Sequence, residues 1–135
     1  MTTGGDERVV GARKRSLVLC VDDDINIRGI LQHILQEDGY TPMMCPSGSE
    51  CLSILDRVEA RLILLDVDMP EMDGFTTCSK VRERYPNLAA KIIFLTGRRT
   101  IQDAEEAKVR GGHDFIVKPF TADRLVKRLD HWIGY

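Results

Sequence analysis

Two patterns alternate along most of the chain. Runs without polar interruption occur at Leu17–Val21, 62–65 and 92–95, all rich in Leu, Ile or Val. A strand buried on both faces of a sheet requires such a run. Residues 40–45 and 115–117 carry weaker strand patterns. Pro42 interrupts the first of these and places it near a sheet edge, because proline has no N–H to give to a ladder. Helical patterns lie between the runs. Ile27, Ile30, Leu31, Ile34 and Leu35 recur at i, i+3, i+4, i+7 and i+8, one apolar stripe that Gly39 stops. Ser47-x-x-Glu50 is a capping box that opens a helix to about residue 58. Further helices are expected over 75–84, closed before Pro86, and over 102–110, stopped by Gly111-Gly112. Thr121 caps a last one with Leu125, Leu129, Trp132 and Ile133 on its apolar face. Five strands alternating with five helices predict an α/β fold of βαβ units, with right-handed crossovers and a parallel sheet covered on both faces.

Length and composition narrow this only a little. A chain of 135 residues suits one domain, and 43% hydrophobic against 30% charged residues excludes a disordered polymer. Residues 1–15 are Gly-rich and polar and are expected to form a flexible leader, leaving 16–135 as the domain. No apolar run approaches the ~20 residues of a membrane span. Arg13-Lys14-Arg15 precedes too short an apolar run for a signal peptide, which needs ~7–15 residues. A cytoplasmic location without membrane contact is expected. Cys20, Cys45, Cys51 and Cys78 form no CxxC pair and read as small buried hydrophobes in a reducing compartment. A net charge of -2 argues against a basic nucleic-acid-binding surface.

The charge is informative where it clusters. Parallel sheets bind ligands outside the carboxyl ends of their strands. The first strand is followed by Asp22, Asp23 and Asp24, the third ends in Asp66 with Asp68 two residues on, the fourth in Thr96-Gly97 and the last in Lys118-Pro119. Two carboxylates ~4 Å apart repel by about 4 kcal/mol at an effective dielectric of ~20. Without a cation, one of them tends to take up a proton. A hard divalent ion relieves this, and Mg2+ prefers such oxygen ligands. Asp24 reads better as a helix N-cap than as a ligand. Thr96 and Lys118 suit a phosphoryl group held against the metal, which points to phosphoryl transfer with Asp66 as acceptor.

VDDD at 21–24, LLDVDMPEMDGF at 64–75, IIFLTG at 92–97 and DFIVKPF at 114–120 resemble the four motifs of bacterial response-regulator receiver domains, in order and at matching spacing. The resemblance covers about residues 16–133 and implies a CheY-like, flavodoxin-like (βα)5 doubly wound fold with strand order 2-1-3-4-5. It implies that Asp66 takes a phosphoryl group from a sensor histidine kinase or histidine phosphotransfer protein. Asp23 is then the direct Mg2+ (or Mn2+) ligand, Asp22 a helper through water, and Asp68 a ligand through its backbone carbonyl. Thr96 resembles the switch hydroxyl, Lys118 the amine that pairs with the phosphoryl group, Pro119 the residue that fixes its loop, and Phe115 the aromatic switch. By the same resemblance the domain catalyses its own phosphorylation and slow dephosphorylation without being a turnover enzyme. Its output surface is expected over residues 100–133, with Arg99, Glu105, Glu106, Lys108, Arg110, Lys127 and Arg128 among the exposed charges, and it acts on a protein target as a monomer or a phosphorylation-dependent dimer.

Three departures from the pattern stand out. Asp68 adds an acid beside Asp66, Arg98 follows Thr96-Gly97 and is placed to reach a phosphate or a partner, and Arg110 and Gly112 replace small alanines, which would loosen the fourth helix. Two other functions compete: a receiver-shaped interaction module that needs no phosphorylation, and an aspartyl-phosphate phosphatase, whose DxD pair belongs on a first strand. Only Gly134 and Tyr135 follow the last helix, which leaves no room for a DNA-binding output within these residues. The chain is expected to be a receiver alone, standing free or excised from a larger regulator.

Overall fold

The computed structural model describes residues 16–98 and 100–134. The expected leader and Arg99 lie outside the described residues. The elements run β1 (Leu17–Val21), α1 (Ile25–Glu37), β2 (Thr41–Cys45), α2 (Gly48–Leu55), β3 (Leu62–Asp66), α3 (Gly74–Arg84), β4 (Lys91–Thr96), α4 (Ile101–Val109), β5 (Asp114–Val117) and α5 (Ala122–Ile133). All strand pairs are parallel, in the order β2-β1-β3-β4-β5. β2, which holds Pro42, is an edge strand, where a missing N–H does least harm.

The unbroken apolar runs divide by strand alternation into two cores. Leu19, Val21, Ile63, Leu65, Ile92 and Phe94 face α2, α3 and α4, where they meet Cys51, Phe75, Cys78, Val81 and Ala107. Val18, Cys20, Leu62, Leu64, Ile93 and Leu95 face α1 and α5, against Leu31, Leu35, Leu125, Leu129 and Ile133. Each such side chain contributes about 1.5–3 kcal/mol on burial. All four cysteines are buried and free, and burial pushes the Cys78 thiol up to about 11 and that of Cys51 to about 12. They behave as hydrophobes, as expected.

Every helix opens on a side-chain cap. Asp24, Ser47, Asp73, Thr100 and Thr121 accept from the N–H groups of Asn26, Glu50, Thr76, Asp103 and Arg124. Each such cap is worth about 1 kcal/mol. α2 is shorter than its pattern suggested. It ends at Leu55, where the Arg57 N–H makes a tighter i→i−3 bond to the Ile54 carbonyl at 2.9 Å. Two expected surface charges are also otherwise engaged. Glu106 and Arg110 are half-buried and pair at 3.0 Å, and Arg110 donates to Ser79 Oγ at 3.1 Å, which ties the end of α4 to α3. A Cβ at Gly112 would run into the Phe94 ring and the Ala107 carbonyl, so glycine permits the close return of the chain there.

Candidate functional site

The sheet register builds the site. Val21 lies beside Leu65, so the residues that follow them, Asp22 and Asp66, emerge side by side. Asp66 pairs with Leu95, one residue before Thr96, and Thr96 pairs with Val117, one residue before Lys118. Four polar groups that are far apart in sequence thus stand in a row at one edge. Asp22, Asp66 and Thr96 are buried, at 0%, 4% and 3% exposure.

Lys118 holds this row together. Its ammonium donates to Asp22 Oδ2 at 2.9 Å and to Asp66 Oδ1 at 3.1 Å. Its backbone N–H donates to the Thr96 carbonyl at 2.7 Å, and the Lys118–Pro119 peptide is cis. Burial alone lowers the Lys118 pKa, but the hydrogen bond to Asp22 and the charge of Asp66 outweigh it, and the net direction is upward. Asp66 moves the other way from an ordinary carboxyl. Burial first, then the Asp22 charge, push it up to about 6 against the pull of Lys118. The upward direction is the one that crowded carboxylates impose on each other.

Asp22, Asp23 and Asp66 each offer a carboxylate oxygen, and these oxygens all lie within 4.8 Å of one another. A hard divalent cation fits that donor set. Asp24 is the N-cap of α1, as its position suggested, and accepts from Asn26 N–H at 2.8 Å. The Asp24 N–H in turn donates to Asp22 Oδ1 at 2.9 Å, which fixes the buried carboxylate.

Asp68 and Arg98 are exposed and pair with each other at 2.8 Å. Phe115 is half-buried on β5, opposite Phe94, and packs on the α2–α3–α4 side. It also lines a 160 Å³ hollow with Arg124 and Arg128.

Three contributors escaped the sequence reading. Arg28 donates to the Asp22 carbonyl at 2.7 Å from the first turn of α1; its place four residues past the cap Asp24 was the available signal. Asp73 caps α3, and Gly74 lets that helix start against β3, because a Cβ there would collide with the Asp66 carbonyl. The Asp-Gly pair after the loop was a turn signal left unused. Glu71 in the same loop adopts a left-handed φ of 66°, a conformation that costs a non-glycine residue roughly 1 kcal/mol.

Comparison with known proteins agrees with this geometry. The model of the response regulator receiver domain matches residues 18–130. An NtrX-like response regulator of Rickettsia bellii is 35% identical over 111 residues, 81% of this chain and 23% of that protein, so the chain spans about a quarter of that relative's length. A 14.6 kDa protein of the sodA1 3' region of Leptolyngbya boryana is 33% identical over 115 residues, 85% of this chain and 88% of that one. Among solved structures, the chemotaxis protein CheY4 of Vibrio cholerae superposes with a TM-score of 0.82 at 34% identity, over 86% of this chain and 97% of its own. The family match runs from β1 into α5 and so takes in every strand end that feeds the site: this chain belongs to the response regulator receiver domains, the receiving modules of two-component signalling.

Proposed function

We propose that Asp66 is the phosphoacceptor of this receiver. A carboxylate oxygen of Asp66 attacks the phosphorus of a phosphohistidine. The new O–P bond forms as the N–P bond breaks, and the histidine nitrogen leaves with the bonding pair and then takes a proton. The observation that carries this reading is one buried carboxylate held between an amine, Lys118 at 3.1 Å, and two further acids whose oxygens lie within 4.8 Å. Lys118 pairs with the incoming phosphoryl oxygens, which add charge where its ammonium already sits. Thr96, at the end of the adjacent strand, offers a hydroxyl donor to the same oxygens. Mg2+ or Mn2+ would be held by Asp23, Asp66, Asp22 through water and the backbone carbonyl of Asp68, and would supply neutralising charge for the phosphoryl oxygens.

Receiver domains exchange signals with histidine kinases and downstream effectors. For this chain the donor is a sensor histidine kinase or a histidine phosphotransfer protein. The output is the surface of α4, β5 and α5 within residues 100–133, with Phe115 as its aromatic switch and residues 16–135 as the working domain. By this reading the domain works in the cytoplasm beside such kinases. No helix among the described residues is long and apolar enough to cross a membrane. Incubation with acetyl phosphate and Mg2+ tests the assignment. The parent chain gains one phosphoryl group and Asp66→Asn gains none; undiminished labelling of that variant would overturn it.

A further inference from the structure

β3 and β4 are neighbours, and each carries a charged residue two positions beyond its last residue: Asp68 after Asp66, and Arg98 after Thr96. The Arg98 side chain reaches three elements. Its Nη2 and Nε donate to Asp68 Oδ1 at 2.8 and 3.3 Å. Its Nη1 lies 3.6 Å from Asp103 Oδ1, in the first turn of α4. Its guanidinium carbon stands 5.7 Å from the centre of the Phe75 ring, in the first turn of α3. The backbone of the same residue does something separate: Arg98 N–H donates to Thr96 Oγ at 2.9 Å.

These contacts couple the rim of the site to its hydroxyl. Thr96 Oγ cannot leave its place without losing the Arg98 N–H or moving the Arg98 backbone. The Arg98 side chain resists that movement, because it is clamped to the β3–α3 loop and to the start of α4. We infer that Arg98 is a positioning residue that latches the resting arrangement of the β4–α4 loop, with Asp68 as its catch. The latch opposes the movement of Thr96 toward a group on Asp66. It therefore weakens the binding of whatever favours that movement, by the share of the equilibrium it holds. Asp68, an acid beside the acceptor, acts through this pair.

The inference rests on the reading of Asp66 as the phosphoacceptor, and the test separates the two. Beryllofluoride, a phosphoryl mimic, is titrated into the parent chain, Arg98→Gln, Asp68→Asn and the double variant at saturating Mg2+. Exchange of the Arg98 amide proton is followed by NMR in the unliganded proteins. Both single variants are expected to bind beryllofluoride about two- to fivefold more tightly, the range an exposed ion pair supports. The double variant should gain no more than Arg98→Gln alone, because Asp68 acts only through Arg98. Arg98 amide exchange should quicken in Asp68→Asn. Weaker binding by Arg98→Gln would mean that Arg98 touches the phosphoryl group and would overturn the latch. So would unchanged affinity and exchange in both single variants, or additive gains in the double. Absence of saturable binding in the parent chain would overturn the phosphoacceptor reading and the latch with it.

Discussion

Asp66 is almost wholly out of water at the end of β3, beside a second buried acid, and its carboxyl titrates near 6. The unfolded chain releases this proton near pH 4. Between those values the native state holds more protons than the unfolded one, so this group's contribution is present at low pH and lost as pH rises through 6. Asp66→Asn is therefore expected to stabilise the metal-free protein by about 1–3 kcal/mol near pH 8. Near pH 3.5, below both values, it should change little, and urea unfolding at both pH values checks this. His113 runs in the opposite direction. The Ile92 N–H donates to its Nδ1 at 3.1 Å, Trp132 packs edge-on at 5.4 Å, and burial, then the charges of Lys91 and Arg82, hold its pKa below the ordinary range. Here the unfolded state binds more protons, so the contribution is lost as pH falls below that range. His113→Asn, which keeps an acceptor without a proton to gain, should flatten the decline in stability between about pH 7 and 5. A decline as steep as the parent's would contradict this.

At the scale of elements, the site depends on how tightly α3 starts against β3. Gly74 donates its N–H to the Val67 carbonyl at 2.8 Å, and its missing Cβ is what lets the helix approach the Asp66 carbonyl. The obstacle is backbone of a central strand and does not give way easily. Gly74→Ala is expected to lower stability by about 2–4 kcal/mol and to weaken labelling of Asp66. A wild-type urea midpoint in that variant would refute the packing argument. α4 is held differently. Among its described side chains only Ala107 is buried, and its ends are fastened by polar contacts: the Thr100 cap with Asp103 at the start, and the Arg110 links to Glu106 and Ser79 at the end. An element fixed this way shifts without breaking a core, which suits a helix of the proposed output surface.

At the scale of the molecule, legibility followed burial. The apolar runs and the helical stripe of α1 are imposed by two buried faces, so the pattern alone predicted a parallel (βα)5 sheet. The strand order came from resemblance to receivers, because alternation does not say which strand lies centrally. The residues at the strand ends were legible because chemistry in a parallel sheet collects there. The Arg98–Asp68 pair, the Arg28 contact and the clearance at Gly74 were not. They depend on where long side chains and loop backbone come to rest across neighbouring elements, and no local spacing encodes that. Asp22, Asp23, Asp66 and Lys118 were identified as a group, and the register of β1, β3, β4 and β5 explains why they meet.

The central claim is that the phosphoryl group resides on Asp66. After labelling by acetyl phosphate with Mg2+, borohydride reduces an aspartyl phosphate to homoserine and releases phosphate, and peptide mass spectrometry then locates the converted residue. The account predicts homoserine at position 66 and at no other aspartate. Conversion at another carboxylate, or labelling that leaves position 66 unconverted, would contradict it.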